Sequence, residues 1–375
     1  MPLNIHIGWC PTARIAELQR LIDGHWRRGH VLATDEALLR WQYRHLASPD
    51  HLAIMVATDR ASNEIIGCLG LIQAPFGDRG QRRLALWMSM WLLVPEARGQ
   101  GIGFSLLDQA IQEGYEVIAC VGFNDITKRL VSGMGFHIRD AMPRWVRPID
   151  SASLLSLTES RVPPYSQSIR ARWAATIAVP IPVAPGTVRP WGSDLETLWD
   201  QAWRERFAPA VLATWHDSEY LRWRYLDHPS FAYDIRVVCG EGDRVEGLMV
   251  HRIEQVQTRE ERIFRIVELI GEAGAGERLL AHAVSEAAQQ GAAFIDLHCT
   301  ATTTIDALRE FGFYRDDEEA ESDRLPRFFQ PLDFRAKPLN FTLWADPAIH
   351  PRLEEYVASN QLYFTRADGD QDRPN

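Results

Sequence analysis

The chain has 375 residues, 46% hydrophobic and 24% charged, which is enough to fill more than one core. Forty basic against fifty acidic side chains leave a net charge of −10, which argues against general affinity for nucleic acid or anionic membranes but leaves room for a local basic pocket. The five cysteines (Cys10, Cys68, Cys120, Cys239 and Cys299) form no CxxC pair and have no histidine at ligand spacing, so free thiols in a reducing compartment and no metal are expected. The amino terminus lacks a leader pattern, and no stretch approaches the roughly 20 apolar residues of a membrane span. A cytoplasmic protein without membrane insertion is the expectation.

Along the chain, Thr12 to Trp26 and Thr34 to His45 carry helical periodicity, with Thr12 and Thr34 placed as N-caps. Strands are predicted at about 52–58, 64–72 and 84–93. A helix then starts at Gly103, with Ile102, Leu106, Leu107, Ala110 and Ile111 on one face and Gly114 as its stop. A buried strand (Tyr115 to Val121), a short helix running into Gly135-Phe136 and a last strand around Trp145 complete this series.

The series then repeats. Asp35-Glu-Ala-Leu-Leu-Arg-Trp41-Gln-Tyr43 with Pro49 returns as Asp217-Ser-Glu-Tyr-Leu-Arg-Trp223-Arg-Tyr225 with Pro229. Residues 64–72 match 244–253, apolar runs that share a glycine at the fourth position, Gly67 and Gly247. Gly135-Phe136 matches Gly312-Phe313, and 143–150 matches 326–333. In the second copy, Leu279, Leu280, Ala283, Val284 and Ala287 supply the helix stripe, Gly291 its cap, and Ala292 to His298 the strand. The pattern predicts two tandem mixed-sheet domains of the α/β (α+β) class, related by internal duplication. The expected organisation is a domain over 1–150, an extended Pro-rich linker over 151–186, a second domain over 187–334, and a tail over 335–375, disordered or docked.

The strongest local motif is Val94-Pro-Glu-Ala-Arg98-Gly99-Gln100-Gly101-Ile102-Gly103-Phe104, between an apolar strand and an amphipathic helix. Its glycines allow close backbone approach, and the helix mouth offers unpaired N–H groups to an anion such as a pyrophosphate. The run is neither a Walker motif nor a dinucleotide fingerprint. The alternative is a glycine-rich connection that only packs a helix closely.

The motif resembles the cofactor loop of the GNAT acetyltransferases. Asn124, eleven residues before Gly135-Phe136, resembles that family's next motif. The resemblance implies a GNAT fold for each copy and acetyl-CoA as co-substrate. Its pyrophosphate would be held by Arg98, Gly99, Gln100, Gly101, Ile102, Gly103 and Phe104, with Asn124 nearby. Leu92 and Val94 would line the pantetheine arm and offer a backbone N–H to the thioester carbonyl. Many family members carry a tyrosine seven residues after that asparagine, but this chain has Val131. Either another group or water supplies the proton to the thiolate, or none is needed. The second copy lacks the glycine order, puts Glu272 in the turn, and has Ala301 and Leu308 where the asparagine and tyrosine would fall. It is expected to be a degenerate half that supports the acceptor site.

The expected reaction is N-acetylation of a primary amine by direct attack on the thioester, which requires proton removal. Candidates for the catalytic group are Tyr43, His45, Tyr225 and Asp368. His45, His51 and His228 also read as surface or packing histidines, and Trp41 and Trp223 as core aromatics, with Arg224 facing a pocket. The acid-rich end and the Trp-Arg-Tyr-x-x-His-Pro run resemble GNAT-like proteins of bacterial surface-polysaccharide pathways. That resemblance implies an amino sugar, free or nucleotide-linked, as the small-molecule acceptor. The competing readings are a tandem enzyme like the mycothiol synthases, a FemABX-like aminoacyl transferase, and a non-catalytic CoA-binding scaffold.

Overall fold

Two seven-stranded mixed sheets organise the computed structural model, which describes residues 4–181, 187–300, 305–335, 337–359 and 361–374. The first sheet runs Ile5–Pro11, His51–Asp59, Ile65–Gln73, Ala85–Leu93, Val117–Val121, Phe341–Ala345, His137–Arg139. The second runs Val188–Pro190, Asp234–Cys239, Val245–Gln255, Arg262–Gly271, Ala292–His298, Arg144–Pro148, Tyr314–Arg315. Each sheet has one parallel pair, 85–88 beside 117–120 and 262–266 beside 292–297; the remaining ladders are antiparallel.

The two halves trade strands. The Trp145 strand, expected to close the first copy, lies in the second sheet, with Phe294 opposite Pro148 and His298 opposite Arg144. In return, 341–345 from the stretch read as a tail lies in the first sheet, with Phe341 opposite Val121 and Ala345 opposite Val117. Arg144 fixes the crossing. Its guanidinium donates to Asp316 (2.9 Å), Asp296 (3.1 Å) and the carbonyls of Leu325 and Pro326, all within the second half. A buried guanidinium is tolerable only with its donors matched in this way.

The duplicated tryptophans lie at the joint. Trp41 Nε1 donates to the Trp223 carbonyl (2.9 Å), and Trp223 Nε1 donates to the Trp41 carbonyl (3.2 Å). This reciprocity is the signature of a two-fold contact, here made within one chain. A four-stranded sheet (362–363, 212–214, 76–78, 81–83) also ties the halves together.

Local chemistry moved several predicted boundaries. Asp35, not Thr34, caps Glu36–Gln42, its carboxylate accepting from Leu38 N–H at 2.9 Å. Thr12 opens a short 3-10 turn before Ile15–His25 and is not the cap. Residues 151–181 are not an extended linker. Ser151–Thr158 and Gln167–Ile177 are helices, capped by Asp150 and Ser166, and they bury Leu154, Leu157, Ile169 and Trp173 in a common cluster with Phe294. Residues 182–186 of that predicted linker lie outside the described residues. Among the described residues, no helix is long and apolar enough to cross a membrane.

Candidate active site

The site begins with a disagreement in strand geometry. Strand 85–93 pairs in parallel with 117–121 only as far as Met88 and Cys120. Beyond that point a bulge faces Gly70, because Leu69 opposes Trp91 while Leu71 opposes Met88. A bulge bends its strand, and this one steers 89–93 away from its parallel neighbour. Ser89 sits in the bulge, 2.9 Å from the Tyr43 hydroxyl. A Cβ on Gly70 would lie 2.5 Å from Ser89 Oγ and 2.8 Å from Tyr43 Oη, so only glycine lets the three meet.

The outcome is a gap in the sheet with backbone amides on its wall. Val94 N–H donates to the Ile66 carbonyl at 3.0 Å and so is not available to a ligand. The alternation of an antiparallel ladder puts Leu92 on that same side and turns the amides of Trp91 and Leu93 toward the gap. This corrects the donor read from sequence by one residue. Arg98 Nε donates to the Leu93 carbonyl at 3.2 Å, which ties the glycine turn to the gap's edge.

The turn itself is exposed from Arg98 through Gly101, with Gly99 at φ 75° and Gly101 at φ 78°. Ile102 is buried and anchors helix Ile102–Gln112, while Phe104 is exposed. Gly103 approaches the Trp91 indole; a Cβ there would lie 3.6 Å from Nε1. The first-turn N–H groups of this helix have no intrahelical acceptor and carry the positive end of its dipole. Asn124 caps Asp125–Gly133 by accepting from Ile126 and Thr127 N–H, and it also lines the cleft. Val131 is fully buried, so no proton donor stands at that position.

A cleft of about 610 Å³ opens at the gap, between 88–91 and 122–128 on one side and 327–328, 337–340 and the chain end on the other. Phe328, Asp370, Gln371 and Arg373 also line a second cavity of about 330 Å³, whose other basic side chains are Arg27, Arg252 and Arg366.

The four catalytic candidates stand elsewhere. Tyr43 is buried behind the bulge, and burial pushes its hydroxyl pKa up. His45 Nδ1 accepts from the N–H groups of Ala47 and Ser48, and burial, then the neighbouring His51, lowers its pKa. His228 repeats this arrangement with Ser230 and Phe231, and burial and Arg224 lower it to about 3. Both histidines are turn caps preceding the repeated prolines. Tyr225 donates to Glu268 at 2.5 Å in the second half. Asp368 accepts from Thr214 Oγ1 and Thr365 N–H; burial and Glu268 push it up to about 7.

Asp370, two residues further on, was missed as a candidate and faces the cleft, with Gln371 donating to it at 3.0 Å and Arg373 beside it. Alternate acids of the chain end therefore have separate partners. Asp372 meets Arg252 at 2.8 Å and the Tyr233 hydroxyl at 2.7 Å. Despite its burial, Arg252 holds Asp372 well below the usual carboxylate range. Arg224, expected to face a pocket, instead holds the chain end through the Ala367 carbonyl at 2.7 Å.

The second half has the matching gap, and the chain end enters it, beside a cavity of about 700 Å³ lined by Leu269, Ile270, Gly271, Glu272 and Tyr363. Gly247 opposes Gly271 as Gly67 opposes Leu93, so Leu269 is the counterpart of Trp91. Its N–H donates to the Tyr363 hydroxyl (3.0 Å), which donates in turn to Glu268 (2.7 Å). Thr365 bridges to Cys299, and Phe364 bonds with Thr300. Glu272 precedes helix Ala273–Gln289, paired with Arg206 and Arg244. Leu308 is buried; Ala301 lies outside the described residues.

Residues 16–136 match the model of the acetyltransferase (GNAT) family. No curated protein matches the sequence. Among solved structures, a GCN5-related N-acetyltransferase from Anabaena variabilis is similar at 15% identity and TM-score 0.57, over 91% of this chain and 72% of that one. One from Kribbella flavida is similar at 13% and 0.56, over 92% and 72%. The N-myristoyltransferase of Saccharomyces cerevisiae, solved with bound myristoyl-CoA, is similar at 9% and 0.54, over 92% and 80%. At these identities the structural likeness speaks to the fold. Residues 16–136 are thus similar to the acetyltransferase (GNAT) family, and the chain shares a mixed α/β fold with solved N-acyltransferases.

Proposed function

We propose that the chain transfers an acetyl group from acetyl-CoA to the primary amine of an amino sugar, most favourably one linked to a nucleotide. The observation that carries the donor assignment is the pairing of an open gap with the exposed Arg98–Gly101 turn in the first half, while the second gap is filled by Tyr363. The turn and the helix mouth suit a pyrophosphate. The Trp91 and Leu93 amides suit a thioester oxygen that gains negative charge during attack.

Asp370 is the proposed general base, since it is the carboxylate shared by the two cavities. It would take a proton from the amine as the amine attacks the thioester carbon. The C–S bond then breaks, and with Val131 at the family's acid position the sulfur leaves as thiolate. A free thiol has a pKa of about 8.5, so departure without an acid is feasible near neutral pH. Arg27, Arg366 and Arg373 along the second cavity support an acceptor bearing phosphates.

Titrating acetyl-CoA into the protein and then screening amines by thiol release tests the reading. One equivalent bound, with turnover on amino sugars and faster turnover on nucleotide-linked ones, is expected. Binding without turnover on any amine would leave a CoA-binding scaffold, and dependence on aminoacyl-tRNA would replace the donor.

A further inference from the structure

Away from the cleft, two strands and a helix of the second half bring three ligating side chains together, with a fourth, His282, against one of them. Asp234 and His251 are directly opposed across the antiparallel pair 234–239 and 245–255, and opposed residues point to the same face of a sheet. Helix 273–289 lies over that face and presents His282 and Glu286, one turn apart. One ligand atom each from Asp234, His251 and Glu286 lie within 4.8 Å of one another. His251 Nε2 is 3.4 Å from Glu286 Oε2, and His282 Nε2 is 2.9 Å from the same oxygen. Neighbouring ligands of a tetrahedral zinc ion, with bonds of about 2.0–2.1 Å, stand about 3.3 Å apart.

Two further observations point to a cation. His282 Nε2 and Glu286 Oε2 are buried and have no hydrogen-bond partner, despite their approach. One oxygen of Asp234 accepts from Arg236 at 2.6 Å, the kind of contact that orients a ligating carboxylate. The His251 ring, only 2% exposed, is held in place by stacking on Phe264 at 4.5 Å. Arg236 supplies one positive charge beside the two carboxylates, and a divalent cation would neutralise the remainder.

We propose that Asp234, His251 and Glu286, with His282 bracing the Glu286 carboxylate, form a site for a zinc-class divalent cation that pins helix 273–289 to strands 234–239 and 245–255. One imidazole nitrogen and two carboxylate oxygens suit a zinc-class ion, with a water completing the tetrahedron. The site shares no residue with either cavity of the proposed active site, so it stands or falls independently of the acyl-transfer reading.

The test uses the full chain, stripped with a chelator and titrated with Zn²⁺ against a chromophoric competitor. Wild type should bind one equivalent and unfold at a higher temperature when loaded. Its Co²⁺ form should show the absorption of a four-coordinate site. His282→Gln and Glu286→Gln should each weaken binding by at least about tenfold. Both positions are partly exposed, so folded variants are expected, and circular dichroism checks this. Absence of stoichiometric binding in wild type, or unchanged affinity in both folded variants, would overturn the assignment.

Discussion

Gly101 separates what the turn does for the fold from what it does for the ligand. Its φ is +78°, and a Cβ built there would meet nothing within 4 Å. Gly101→Ala therefore costs only the left-handed backbone, about 1–2 kcal/mol. Gly114, just beyond the other end of the same helix, has φ +86° and equally open space. Gly114→Ala should cost about the same and serves as an internal control. In a domain of 150–250 residues each would lower Tm by about 2–4 °C per kcal/mol. Only Gly101→Ala puts a methyl where a pyrophosphate is proposed to lie. Calorimetric titration with acetyl-CoA should show binding weakened at least tenfold, on the order of 1.4 kcal/mol, in that variant and unchanged in Gly114→Ala. Equal affinities in two variants of equal stability would refute the assignment of the turn.

Asp370→Asn should lower kcat by about 10²–10⁴-fold and leave acetyl-CoA affinity unchanged in the same titration. Tyr363→Phe removes the partner of Leu269 N–H and one donor to Glu268, so denaturant unfolding should show a loss of about 1–3 kcal/mol with kcat preserved. Asp368, pushed up to about 7 by burial and Glu268, binds its proton more tightly folded than unfolded. Its contribution is fully present below the ordinary carboxylate range and is lost as pH rises toward 7. Unfolding curves should accordingly fall less steeply over that range in Asp368→Asn, whose amide keeps the approach to Thr214.

The element order and the glycine turn were legible because both depend on local signals. Periodicity marks buried faces, and glycines mark backbone that other residues resist. Strand exchange left no such signal. Arg144–Pro148 is buried at every position, so its pattern says that it is interior to a sheet without saying which. The helices at 151–158 and 167–177 were obscured by the prolines around them, although Asp150 and Ser166 were ordinary caps. Asp370 was hidden for a different reason. Acids at 368, 370 and 372 look equivalent in sequence, and only the path of the chain sends them to Thr214, the cleft and Arg252. The histidines were ambiguous by type, since a turn cap and a general base each need an unprotonated ring nitrogen, and the structure shows Nδ1 of His45 and His228 used as caps.

The path of the chain end also accounts for the inequality of two halves that began alike. After strand 341–345 enters the first sheet, residues 362–365 enter the second half's gap, and Tyr363 takes the amide that matches Trp91. The same segment, held by Arg224 at the Ala367 carbonyl and by Arg252 at Asp372, then delivers Asp370 and Arg373 to the first half's cleft. Filling one site and furnishing the other are therefore consequences of a single docking event. Freeing the Leu269 amide for a thioester would require the end to leave the second gap, and leaving would also withdraw the proposed base from the first. The degenerate turn around Glu272 and the intact turn around Gly101 then follow from one constraint, because a gap already occupied by protein places no demand on the glycines that would admit a pyrophosphate.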